Sequence, residues 1–189
     1  MKTNRLEAFS DGVLAIIITI MVLELKAPEE LTFEALLHRA PIFISYLISF
    51  IYIGIYWNNH HHLFQITEKV NGKILWGNLH LLFWLSLIPF AASWIGENHV
   101  EKLPVAFYGF ILLMSGIAFM ILQKSIIKHH EEDFVLSKAI GKNVKEKVSM
   151  LIYIIGILLS YVNPWIGVAC YTFVAIMWVV PDKRIENNM

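Results

Sequence analysis

The sequence predicts an all-α integral membrane protein with six transmembrane helices and both termini in the cytoplasm, and three observations carry that prediction. Apolar residues fill 57% of the 189 positions and the mean hydropathy is +0.61, more than a soluble core of this size would hold. They gather into blocks of roughly 17 to 25 residues, about the length that crosses a bilayer core. With six blocks counted, the basic residues divide unevenly. Lys2, Arg5, Lys69, Lys73, Lys124, Lys128, Lys138, Lys142, Lys145, Lys147, Lys183 and Arg184 fall on one side, and only Lys26, Arg39 and Lys102 on the other. An excess of Lys and Arg marks cytoplasmic loops, which puts the acidic Pro28-Glu29-Glu30 loop outside.

The spans follow in order. The first runs over residues 8–25 and is read as a mature helix, because Arg5 and Glu7 precede it, Ser10 and Asp11 lie within it, and no small-residue cleavage site follows. The second covers 42–64 and the third 74–95, separated by a short segment holding Lys69 and Lys73. The fourth, 105–122, leads into the charged segment 123–147, which is expected to continue the helix before turning. The fifth and sixth, 148–162 and 165–180, are short and joined at Asn163-Pro164 as a tight helical hairpin, proline being tolerated in the first turn of a helix. Trp57, Trp76, Trp94, Trp165 and Trp178 fall near span ends, as an aromatic belt requires. No separate soluble domain, internal repeat or low-complexity segment interrupts residues 1–189, which read as one membrane domain. A formal net charge of zero points to no nucleic-acid partner, and the lone Cys170, in an apolar run, supports no internal disulfide.

The first span holds the unusual chemistry. An aspartate inside a membrane helix costs about 2.5 to 3.5 kcal/mol on insertion scales, so Asp11 calls for a partner, and Arg5 is the nearest in sequence. The simpler reading is that Ser10 and Asp11 cap a helix beginning at Gly12, with Arg5 outside the membrane. Beyond Asp11 the helix is aliphatic for three turns apart from Thr19. Ile16, Ile20 and Leu23 share a face with Thr19 beside it, a stripe suited to lipid or to packing. Asp11 and Glu24 bracket this oily stretch, about 20 Å apart at the helical rise.

The run Arg5-Leu6-Glu7-Ala8-Phe9-Ser10-Asp11-Gly12-Val13, followed by an aliphatic helix ending Leu23-Glu24-Leu25-Lys26, resembles the Arg-x-x-x-Phe-Ser-Asp signature of the lysosomal potassium channel family, transmembrane protein 175, and its bacterial relatives. The resemblance extends to Trp57-Asn58-Asn59-His60-His61, to Leu63-Phe64, and to Asn78-Leu79 with Leu87-Ile88-Pro89-Phe90, and it weakens after Gln123. It implies a passive, modestly potassium-selective cation channel, not an enzyme, built in a bacterial plasma membrane as a homotetramer of six-helix subunits whose first helices line a central pore. Under the same resemblance Ile16, Thr19, Ile20 and Leu23 line the pore, Ile16 at its narrowest point, and Glu24 stands at a pore mouth. Arg5, Phe9, Ser10, Asp11, Trp57, His60, His61 and Asn78 would form the motif and its helix-packing network. The implied partners are further copies of this chain, the lipid bilayer, and permeating K+ with other monovalent cations or protons; no cofactor or metal is implied.

Elementary physics fits such a pore. Cyclic symmetry turns one repeated stripe into a closed channel. The carbonyl filter sequence Thr-Val-Gly-Tyr-Gly is absent, so a ring of Ile16 and Leu23 would discriminate by dewetting, and K+, less tightly hydrated than Na+, would lose less in shedding part of its shell. Two rival classes fit these residues less well. His60, His61 and His62 are consecutive and cannot share a helix face, and no repeated histidine boxes accompany them, which argues against a membrane metal enzyme. One of the triplet is instead expected to turn inward toward Ser10 and Asp11 with Trp57 or Asn78. A proton-coupled transporter using Asp11 and a histidine would be expected to show inverted repeats or broken helices, and neither is visible.

Overall fold

In the computed structural model the described residues, 3–65, 67, 69–129 and 144–179, are almost entirely helical. The first helix, α1, runs Thr3–Leu23 and begins five residues before the expected start of the first span. Ser10 and Asp11 therefore sit inside a helix rather than capping one. A short helix in the following loop, α2 (Phe33–His38), was not foreseen. Its cues are local: the Thr32 hydroxyl accepts from the Ala35 amide at 3.1 Å, Glu34 lies in its first turn and His38 in its last.

Helix α3 spans Ala40–Gln65. The third predicted span is broken into α4 (Gly72–Ser86) and α5 (Ile88–Glu97). Pro89 causes the break: it offers no amide hydrogen, and its ring would collide with the carbonyl of Leu85 in a straight helix. At the joint the Leu87 amide turns to the Trp84 carbonyl at 3.2 Å, one residue closer than in a regular helix. Asn71 caps the start of α4 by accepting from the Ile74 amide at 3.0 Å.

Helix α6, Lys102–His129, overruns the fourth span at both ends, taking in Pro104 in its first turn and Lys124 and Lys128 near its last. Long lysine stems can lie along an apolar helix while their ammonium groups reach the interface. Helices α7 (Val144–Ser160) and α8 (Pro164–Val179) form the hairpin, with Pro164 opening α8 and Asn163 accepting from the Trp165 amide at 3.0 Å. His130, Glu131, Glu132, Asp133, Lys138, Lys142, Val180, Lys183, Arg184 and Lys2 lie outside the described residues.

Helices α3 and α6 organise the bundle. Helix α3 packs against α1, α5 and α8, while α6 packs against α4, α5, α7 and α8. Among the described residues four segments are long and apolar enough to cross a membrane, α4 and α5 together counting as one; α8 is apolar but shorter. Leu23, Trp76, Leu158, Phe173 and Ile176 are among many large apolar side chains left on the surface, a pattern that water would penalise and lipid or further subunits would not.

Candidate functional site

Helices α1 and α3 run antiparallel and are tied by polar rungs. The Thr3 hydroxyl donates to the Thr67 carbonyl at 2.6 Å. One turn on, His61 Nδ1 donates to the Glu7 carboxylate at 2.7 Å, and Gln65 donates to the other nitrogen of that ring at 2.8 Å. One further turn along α1 and one back along α3, the Trp57 indole nitrogen donates to Asp11 Oδ1 at 3.0 Å. Trp57 and His61 stack, with centroids 6.3 Å apart and planes inclined by 18°. Glu7 and Asp11 are four residues apart, as are Trp57 and His61, which is why both pairs can close between antiparallel helices.

Behind this ladder lies a fully enclosed chain. Ser10 donates its hydroxyl hydrogen to the Leu6 carbonyl at 2.9 Å, leaving its oxygen to accept from Asn78 Nδ2 at 2.9 Å. The amide oxygen of Asn78 is then free to accept from His60 Nε2 at 2.8 Å. Ser10, His60 and Asn78 are each at most 1% exposed. This single chain joins α1, α3 and α4 with each hydrogen in it pointing one way, while the buried His60 Nδ1 has no partner among the described residues.

The geometry brings together Ser10, Asp11, Trp57, His60, His61 and Asn78. It does not bring in Arg5 or Phe9. Arg5 is exposed and forms no ion pair with Asp11, whose partner is Trp57; at i and i+6 the two side chains point to different sides of α1. Glu7 and Gln65 join the ladder without having been singled out. The matching four-residue spacings of Glu7 with Asp11 and Trp57 with His61 were the available signal.

The rest of α1 has two apolar faces that the sequence does not distinguish by hydrophobicity. Leu6, Ser10, Leu14, Ile17 and Met21 are buried against the rest of the bundle. On the opposite side Gly12, Ile16, Thr19, Ile20 and Leu23 are exposed, Ile16 by 61% and Leu23 by 71%. Thr19 spends its hydroxyl hydrogen on the Ala15 carbonyl at 2.9 Å, which leaves the oxygen lone pairs on the exposed side. Just beyond the helix, exposed Glu24 accepts from the Ser93 hydroxyl at 3.3 Å.

A second polar seam, absent from the sequence reading, lies on the other flank of α3. Tyr52 donates to the Tyr171 carbonyl at 2.6 Å and accepts from the Tyr153 hydroxyl at 3.3 Å, while Ser49 and Tyr108 share a bond at 2.9 Å. A Cβ on Gly156 would come within 2.6 Å of the Tyr171 ring, and one on Gly167 within 2.8 Å of Val105. Small residues there let the helices close around the ring.

Comparisons with known proteins place this architecture. The family model described as the endosomal/lysosomal potassium channel TMEM175 matches residues 5–89. A potassium channel of Chryseobacterium sp. (strain P1-3) is 56% identical over all of this chain and 98% of its own length. The crystal structure of a lysosomal potassium-selective channel TMEM175 homolog from Chamaesiphon minutus superposes with a TM-score of 0.78 at 29% identity, covering 94% of this chain and 96% of that one. The endosomal/lysosomal proton channel TMEM175 of Gallus gallus is 30% identical over 56% of this chain, a stretch covering 25% of the chicken protein. On this evidence the chain belongs to the TMEM175 potassium channel family.

Proposed function

We propose that four copies of this chain assemble in the bacterial cell membrane, with both termini cytoplasmic and six crossings each, into a passive cation channel that conducts K+ with modest preference over Na+. The observation that carries the reading is the two-sided first helix. One face of α1 is buried in the subunit through Leu6, Ser10, Leu14, Ile17 and Met21, and the opposite face leaves Ile16, Thr19, Ile20 and Leu23 largely uncovered by the described residues. Four such faces around an axis form stacked aliphatic rings with a ring of threonine oxygens between them. The aliphatic rings set a dewetting barrier and the oxygens replace part of an ion's hydration shell. Glu24 supplies negative charge at one mouth, and the α1–α3–α4 polar chain fixes the angle at which α1 leaves the subunit. The potassium-channel names of the bacterial relatives support the choice of ion.

The test is flux from liposomes per assembled oligomer, in K+ and in Na+. Ile16→Asn is expected to raise flux roughly tenfold if it removes about 1.4 kcal/mol of barrier, and to narrow the ratio between the two ions. Ile17, one residue on, is no control because its side chain is only 3% exposed and sits in the subunit core. Ile176→Asn on α8, a helix packed against α3, α6 and α7, supplies one and should leave both rate and ratio alone. An Ile16 variant that assembles normally and matches the parent in both ions would remove α1 from the pore.

Proton permeation is a second reading, favoured by the proton-channel name of the chicken relative. The same liposomes under a pH gradient with K+ held equal separate it from K+ conduction.

A further inference from the structure

At the end of the bundle where α4 begins and α6 finishes, the two antiparallel helices are tied by the Asn71 side-chain amide, which donates to His129 Nδ1 at 3.1 Å. Beside that tie a groove of about 440 Å³ opens between them, lined by Lys73, Trp76 and His80 of α4 and by Ile121 and Ser125 of α6. Lys73, Trp76 and His80 stand at i, i+3 and i+7, and Ile121, Ser125 and Lys128 at i, i+4 and i+7, so both walls carry a lysine at the tied end. Gly72, also in the lining, leaves this end open, since a Cβ there would meet nothing within 4 Å.

The charged and N–H groups here are all donors. Lys73 and Lys128 are exposed and have no carboxylate partner among the described residues. The Trp76 indole is 74% exposed and gives its N–H to none of them. His80 accepts at Nε2 from the Trp84 indole at 2.9 Å, which puts its own ring hydrogen on Nδ1. Ser125, the one hydroxyl, keeps its hydrogen for the Ile121 carbonyl at 2.8 Å.

We propose that this groove seats an anionic phospholipid of the adjoining leaflet, its phosphate between Lys73 and Lys128, its ester carbonyls within reach of Trp76 and His80, and its acyl chains passing over Ile121 into the bilayer. With depth a phospholipid presents phosphate, then ester carbonyls, then hydrocarbon, and the groove meets them in that order. Trp76 lies about 4.5 Å beyond Lys73 along α4, inside an interfacial layer about 5 to 7 Å thick, where indoles anchor. Basic pockets between membrane helices favour anionic headgroups. A zwitterionic headgroup would bring a cation to the lysines, and a free phosphate would leave the indole and Ile121 unused. The groove has to hold only headgroup and glycerol, because the chains remain in lipid. The site lies off the exposed face of α1 and does not depend on which ion the channel carries.

The full chain in phosphatidylcholine nanodiscs is exposed to phosphatidylglycerol bearing a diazirine near the glycerol end of one chain, with labelled residues mapped by mass spectrometry. Labelling is expected on α4 and α6 around Trp76 and Ile121, saturating, and displaced by plain phosphatidylglycerol but not by added phosphatidylcholine or inorganic phosphate. Lys73→Gln and Lys128→Gln should each raise the half-saturating lipid fraction about fivefold. Lys102→Gln, at the opposite end of α6, should leave it unchanged. Gly72→Leu should lower the labelling with the melting temperature unchanged. The proposal fails if labelling never saturates, if inorganic phosphate displaces it, or if Lys102→Gln weakens it as much as Lys73→Gln does. It fails equally if Lys73→Gln and Lys128→Gln label like the parent but shift the oligomer distribution, which would make the groove a contact between copies of this chain.

Discussion

Helix α3 carries a polar seam along each flank, and the two are made of different chemistry. Toward α1 and α4 it offers an imidazole, an indole and a second imidazole, which meet an asparagine and two carboxylates, the asparagine in turn bonding a serine of α1. Toward α6, α7 and α8 it offers one phenol and a serine, which meet two other phenols and one backbone carbonyl. The first seam is a chain in which one central group, Asn78, serves two neighbours, so its members depend on one another. In the second seam the Tyr52 hydroxyl makes two bonds, those of Tyr108 and Tyr153 one each and that of Tyr171 none among the described residues, so the buried rings and the small residues packed around them supply most of the cohesion. A hydrogen-bonded chain fixes an angle between helices, whereas a ring in a glycine-lined socket fixes a distance. The seam beside the proposed pore helix is the one that fixes an angle.

The largest effect is expected where the first seam is cut at its centre. Asn78→Leu keeps the volume close but leaves the His60 Nε2 hydrogen without an acceptor and the Ser10 oxygen without its donor, in a region at most 1% exposed. Stranding buried polar groups of this kind costs roughly 2–4 kcal/mol. Thermal unfolding in detergent should show a correspondingly large drop, and oligomer yield should fall with it. A variant that melts with the parent would mean the two seams contribute alike and that the chain is ornamental.

The second seam should yield less. Tyr52→Phe keeps the ring among α3, α7 and α8 and removes one donor to the Tyr171 carbonyl and one acceptor for Tyr153. Hydrogen bonds between membrane helices are each worth about 0.6 kcal/mol, reaching 1.7 at most, so a loss near 1 kcal/mol is expected by the same unfolding assay. A loss as large as that of Asn78→Leu would show that the tyrosine seam is also cooperative.

The contrast explains what could be read from the sequence. The first seam was legible because its members cluster in chain order, Ser10-Asp11 in one block and Trp57 with the histidines in another, and because a charge inside an apolar helix demands an account. The Asp11 partner could not be identified, since Arg5 is close in sequence while Trp57 is close only after α1 and α3 pair. The tyrosines at 52, 108, 153 and 171 stand singly within apolar blocks, where a phenol looks like any other large ring until packing turns its hydroxyl toward a neighbour. The break at Pro89 and the short helix α2 depended on one residue each, against a hydropathy window that averages over many. Which aliphatic side of α1 is buried was illegible for a plainer reason: Ile16 and Ile17 are the same amino acid, and only the neighbours of the folded helix separate them.

Arg5 should show the smallest effect on the subunit, and for that reason it sharpens the comparison most. It lies on the exposed side of α1, about 100° per residue placing it near the direction of Ile16 and Leu23 and away from the buried line of Leu6, Ser10 and Leu14. Exposed substitutions away from buried bonds usually shift stability by no more than about 0.5 kcal/mol, so Arg5→Ala should leave the subunit fold and its melting close to the parent. Any function of this guanidinium must then be exercised beyond the subunit, on the conduction axis or on a neighbouring copy. Native mass spectrometry of the purified protein tests that division: the variant should lose higher oligomers as ionic strength rises while Trp57→Phe, which cuts a bond inside the subunit, lowers melting instead. If Arg5→Ala depresses melting as Trp57→Phe does and leaves the oligomer distribution untouched, Arg5 belongs to the α1–α3 seam after all, and the exposed face of α1 loses its one charged member.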